Sequence, residues 1–153
     1  MSMKERDPRC LAVLFFDLHH VKFVNDSLGH AIGDDLLIAV AQKRQALARQ
    51  SDTVARIGGD EFVIMLDNPA NSEEVVHIAN RIIAVINEPT EFHGKTAQVG
   101  TSIGIAMCPA DGATAAELLK SADTAMYESK HAGRNTYRFF VPEAVVEAAI
   151  EQS

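Results

Sequence analysis

Cysteine is scarce in this 153-residue chain: Cys10 and Cys108 stand alone, with no CxxC or zinc-ligand spacing. That pattern argues for structural thiols in a reducing compartment. No uninterrupted apolar run approaches the roughly 20 residues of a membrane span. The first nine residues, MSMKERDPR, lack the apolar core of a signal peptide. The chain is therefore expected in the cytoplasm, without membrane contact. Basic charge is also short, with a formal net charge of −7. This argues against a sequence-independent nucleic-acid binder, which would show a basic face. It leaves room for a phosphorylated small molecule whose charge is neutralised by a metal ion. Internal repeats, low-complexity stretches and linkers are missing, so the length bounds one domain with a single core.

What is present has the composition of a soluble globular protein, 47% hydrophobic and 23% charged. Leu11 to Phe16 is a continuous apolar run ending at Asp17, as in a central strand buried on both faces. From Asp34 to Gln50, Leu36, Leu37, Val40, Ala41, Leu47 and Ala48 form one stripe of an amphipathic helix, with Asp34 near its N-terminus. A second helix is predicted over 72–87, with Val75, Ile78, Ala79, Ile82, Ile83 and Ile86 on one side. Asn71 and Glu74 form its capping box and Pro89 marks its end. A short strand near Glu91–Phe92, a turn at His93–Gly94–Lys95 and a longer strand from Ala97 to Met107 follow. Thr114 and Glu117 open a third helix, with Leu118, Ala122, Ala125 and Met126 as its core stripe and Gly133 as its closing glycine. A last short strand spans 136–140, and Pro142 begins a tail helix over 143–150.

Between the first two helices, Thr53–Ile57 and Phe62–Leu66 are β-prone runs split by Gly58-Gly59-Asp60-Glu61. Such a pair reads as a hairpin, because glycine tolerates the positive φ that tight turns use. A bare Gly-Gly-Asp-Glu is more often a solvated acidic turn. The order β-α-β-β-α-β-β-α-β with a central hairpin implies an α/β (α+β) fold. It has a mixed, partly antiparallel central sheet with helices packed on it, of nucleotide-cyclase or palm-like kind. If the hairpin pairs beside the first strand, Asp17, Asp60 and Glu61 converge. Three such carboxylates repel unless a cation sits among them. Mg²⁺ suits hard oxygen ligands and is commonly shared with substrate phosphates.

Several further segments carry a resemblance to the GGDEF domain of diguanylate cyclases. Besides the hairpin loop, FDLHHVKFVND (16–26) is similar to the family's first metal and nucleotide segment, and GHAIGDDLL (29–37) continues it. TSIGIA (101–106) resembles its late core strand. ADTAMY (122–127) with Lys130, Gly133, Arg134 and Asn135 resembles its closing helix. The likeness covers about 11–140, and five motifs in order are far more specific than any one.

The resemblance implies a diguanylate cyclase, joining two GTP molecules into cyclic di-GMP plus two pyrophosphates. Asp17, Asp60 and Glu61 would be catalytic. They and the Leu18 carbonyl would hold Mg²⁺ or Mn²⁺, two ions per site; Glu61 could instead be a general base. Asn25 and Asp34 would bind guanine, and Gly58 and Gly59 would line the substrate. Lys22, Lys130 and Arg134 would hold the β- and γ-phosphates. Arg49 and Asp52, with five residues between Asp52 and Gly58, match the family's inhibitory RxxD motif, and Arg81 matches another arginine of that product-binding site. His19 stands where the family usually has a second aspartate that is not the principal ligand; packing or exposure is the default for each of the six histidines.

The resemblance also implies an upstream helix for which the chain has no room, so a piece of a longer protein is expected. Its boundaries read as an extension over 1–10, the domain over 11–141 and a C-terminal helix over 142–153 leading toward another domain. Expected partners are GTP, cyclic di-GMP as product and inhibitor, a second copy in a transient homodimer, and sensory or EAL domains of the parent protein; no nucleic acid is expected. The competing reading is a catalytically inactive GTP- or cyclic-di-GMP-binding module beside an EAL phosphodiesterase. Retention of all three acids favours catalysis.

Overall fold

The computed structural model describes residues 11–19, 35, 38, 39, 42, 43, 52–58, 60–92, 94–133 and 135–142. Seven strands are present among them: β1 (Ala12–His19), β2 (Thr53–Gly58), β3 (Glu61–Leu66), β4 (Thr90–Phe92), β5 (Lys95–Ala97), β6 (Gly100–Met107) and β7 (Thr136–Phe139). Two helices are described in full, α1 (Ser72–Asn87) and α2 (Ala115–Ala132). Asp35, Ile38, Ala39 and Gln42 are also helical, within the helix expected from 34 to 50. The predicted tail helix lies outside the described residues.

The main sheet has the order β2-β3-β1-β6-β7. β1 runs antiparallel to both β3 and β6, β2 antiparallel to β3, and β7 parallel to β6. The sheet is therefore mixed, and β1 occupies its centre. All eight β1 residues are buried, which for Ala12 to Phe16 is what the unbroken apolar run predicts. The strand does not stop at Phe16, however. It continues through Asp17 to His19 because β6 supplies ladder partners as far as Gly100.

Alternation along β1 feeds two cores. Ala12, Leu14, Phe16 and Leu18 pack with Val75, Ile78, Ala79, Ile82 and Ile86 of α1 on one face. Val13 and Phe15 pack with Leu118, Ala122 and Met126 of α2 on the other. Phe16 and Phe62 are register partners, and their rings stack at 5.5 Å on the α1 side. Both N-caps form, while the Glu74 and Glu117 carboxylates accept from the Ala70 and Ala113 amides, one residue before each cap. The Asn71 carboxamide accepts from the Glu74 amide at 2.8 Å, and the Thr114 hydroxyl accepts from the Glu117 amide at 3.2 Å. Gly133 follows α2 with φ of 119°, a conformation that a β-carbon would disfavour.

Two local expectations are corrected. The long strand predicted from Ala97 is divided: Ala97 ends the separate β4–β5 hairpin, and β6 begins at Gly100. Gln98 breaks the run, its side-chain amide donating to the Asn87 carbonyl at the end of α1. The GGDE turn also does not draw on positive φ at Gly58, which lies in β2 opposite Glu61, after a register shift between Arg56 and Gly58. Gly59 lies outside the described residues.

Candidate active site

The site grows from the register of β1 and β3. Stacking of Phe16 on Phe62 commits those side chains to the α1 face, so the next pair in the ladder, Asp17 and Glu61, emerges on the α2 face. The Leu18 amide donates to the Asp60 carbonyl at 3.0 Å, which ties the hairpin tip to β1. Asp17, Asp60 and Glu61 are thus brought to one end of the sheet by backbone pairing alone.

Helix α2 supplies the opposite wall. Leu118, Ala122 and Met126 recur every four residues against the sheet, and one further step of four reaches Lys130. Its ammonium meets Asp17 Oδ2 at 2.5 Å. Asp17 is only 3% exposed, and its Oδ1 is a buried oxygen without a hydrogen-bond partner among the described residues. The Thr101 hydroxyl donates to the Asp17 carbonyl at 2.6 Å, fixing the backbone from the β6 side.

His19, two residues beyond Asp17 on the same strand face, is buried rather than exposed. Its Nε2 lies 2.6 Å from the Ser102 hydroxyl and 3.8 Å from Asp17 Oδ1. Ser102 is the β6 register partner of Asp17. Sequence reasoning missed this contact, as it missed the Lys130–Asp17 pair. Period-two spacing from Asp17 and period-four spacing from Met126 carry those signals.

Among the described residues, charge at the site is unbalanced toward the negative. Burial raises the proton affinity of Glu61 above the ordinary carboxylate value, and the charges of Asp123, Asp60 and Asp17 push it further; Lys130 opposes them. Asp123, an exposed α2 residue that sequence reasoning did not single out, belongs to this field. The hydrogen bond to Asp17 raises Lys130 above the usual lysine value. A buried, unsatisfied carboxylate oxygen amid repelling acids is chemically suited to a hard cation. Among the described residues, no three acidic, histidine or cysteine side chains already stand close enough to hold one.

The remaining predicted residues divide as follows. Gly58 flanks the acids at the hairpin, whereas Gly59, Lys22, Asn25, Asp34, Arg49 and Arg134 lie outside the described residues. Asp52 sits just before β2, where its Oδ1 accepts the Asp67 amide at 3.0 Å. Arg81 is on the exposed side of α1, with Nη2 3.5 Å from His77 Nε2. No helix among the described residues is long and apolar enough to cross a membrane.

The family model described as diguanylate cyclase, GGDEF domain, matches residues 1–136. The chain is 45% identical over 137 residues to the bifunctional diguanylate cyclase/cyclic di-GMP phosphodiesterase MucR of Pseudomonas aeruginosa, covering 88% of this chain but 20% of MucR. Among solved structures, an EAL/GGDEF domain protein from M. capsulatus superposes with a TM-score of 0.82 at 44% identity, covering 90% of this chain and 88% of that one. The GGDEF domain of TpbB from Pseudomonas aeruginosa superposes with a TM-score of 0.83 at 40% identity, covering 88% and 84%. The chain thus spans about a fifth of the length of MucR.

Proposed function

The chain belongs to the GGDEF family of diguanylate cyclase domains, and from that membership we propose that it condenses two GTP molecules into cyclic di-GMP, releasing two pyrophosphates. The observation that carries this reading is the register pair Asp17–Glu61, with Asp60 bonded beside it, where acidic groups outnumber Lys130 among the described residues. Inactive binding modules typically lose these acids, and this chain retains all three.

Asp17, Asp60, Glu61 and the Leu18 carbonyl would hold one or two Mg²⁺ or Mn²⁺ ions. Such ions, when bound, supply Lewis acidity at the α-phosphate and acidify the attacking 3′-hydroxyl. Glu61, with its raised proton affinity, is suited to accept the hydroxyl proton. Lys22, Lys130 and Arg134 neutralise the β- and γ-phosphates of the leaving pyrophosphate. Asn25 and Asp34 accept the N1 and N2 donors of guanine, an arrangement that adenine does not offer. Each domain binds one GTP, so the two 3′-hydroxyls reach the two α-phosphates when a second copy approaches about a two-fold axis. Product binding at Arg49, Asp52 and Arg81 restrains turnover. We place the domain at 11–141 of a cytoplasmic parent protein with sensory or EAL neighbours.

Incubation with GTP and Mg²⁺, with the nucleotide product identified by chromatography, tests this reading. Asp17→Ala and Glu61→Ala are each expected to abolish cyclic di-GMP formation with circular dichroism unchanged. Full activity in either folded variant would refute the assignment of the acids.

A further inference from the structure

One carboxylate of the site has two claimants, the Lys130 ammonium and the metal ion of the proposed reaction. Asp17 Oδ2 is held by the Lys130 ammonium at 2.5 Å, and its other oxygen is buried without a hydrogen-bond partner among the described residues. Lys130 does not arrive there by chance of a surface rotamer. It continues the Leu118–Ala122–Met126 stripe that clamps α2 to the sheet, so its stem is carried over Asp17 by the core itself. Its side chain is nevertheless 37% exposed at the last turn of the helix, which leaves the head free to move toward solvent or a ligand.

A divalent ion bound by Asp17 would stand within a few ångströms of that ammonium, and like charges at such a distance repel. Polyphosphate, in contrast, attracts it. We propose that Lys130 is the resident counter-ion of Asp17, occupying the carboxylate until nucleotide phosphates draw it away, so that metal and nucleotide binding are positively coupled through this one side chain. The inference rests on the metal-dependent cyclase reading above and adds an order to it: metal binds weakly alone and tightly with nucleotide. Linkage makes the effect reciprocal.

The test measures Mn²⁺ affinity by electron paramagnetic resonance titration, without nucleotide and with a non-reactive GTP analogue. The proteins are the unmodified domain, Lys130→Met, Lys130→Arg and Asp17→Asn. Removing the competitor in Lys130→Met should tighten nucleotide-free Mn²⁺ binding by about fivefold or more and shrink the enhancement that the analogue produces. Lys130→Arg keeps the positive charge and should remain near the unmodified protein, which a merely structural role for the stem would not require. Unchanged or weaker nucleotide-free Mn²⁺ binding in a folded Lys130→Met variant would overturn the proposal. Undiminished Mn²⁺ binding in Asp17→Asn would instead show that the underlying assignment of the metal site is wrong.

Discussion

Gly104→Ala probes the contact that sets the height of α2 above the sheet. A β-carbon at this β6 position would lie under 3.0 Å from the Ala122 carbonyl oxygen and from the amide nitrogen and Cα of Met126. All three are backbone atoms, so no side chain can rotate aside. To restore an ordinary contact of about 3.5–4.0 Å, the helix must retreat by on the order of 1 Å. That retreat loosens Leu118, Ala122 and Met126 from Val13, Phe15 and Val63. Overpacking costs about 1–3 kcal/mol in cores that can adjust, and the backbone contact puts this case at about 3 kcal/mol. For a domain near this size each kcal/mol lowers the melting temperature by roughly 2–4 °C, giving a drop of about 6–12 °C. Differential scanning calorimetry of the nucleotide-free protein measures it. Because α2 also carries Lys130, cyclic di-GMP formation at temperatures where the variant is folded should fall as well. A melting temperature within about 1 °C of the unmodified protein would refute the close-approach argument.

Glu61→Gln should stabilise the metal-free domain above the titration range of Glu61. A raised folded-state value means that the folded protein binds the extra proton, so ionisation of Glu61 opposes folding. The gain, about 0.2–1 kcal/mol for a partly exposed group, should be present at neutral pH and vanish as pH falls below 4.5; a pH series of thermal melts decides this. Asn71→Ala removes the acceptor for the Glu74 amide and should cost about 0.5–2 kcal/mol in urea denaturation. Asn25→Ala with Asp34→Ala should narrow the preference for GTP over ATP by roughly 1–3 kcal/mol, judged by base readout elsewhere; unchanged preference in calorimetry would move the base site. If two copies meet as proposed, initial rate should rise more steeply than in proportion to protein concentration when the domain is dilute; strict proportionality from a verified monomer would exclude the two-copy arrangement. Arg49→Ala should relieve product inhibition while leaving the initial rate intact.

Much of this protein was legible from local chemistry. Apolar continuity marked β1 as a central strand, period 3.6 marked α1 and α2, and the Asn71–Glu74 and Thr114–Glu117 spacings marked their starts, because each signal depends on residues within one or two turns. The order of motifs likewise carried the family. Tertiary structure alone decided which acid meets which cation. Asp17 and Lys130 are separated by most of the chain, and their contact requires β1 to sit centrally, β6 to pass beneath α2 at Gly104, and α2 to stop at Gly133. The same holds for His19 and Ser102, joined at 2.6 Å only through the β1–β6 register. Periodicity tells a side chain which face it shares; only packing of whole elements brings two faces together and determines how deeply a charge between them is buried.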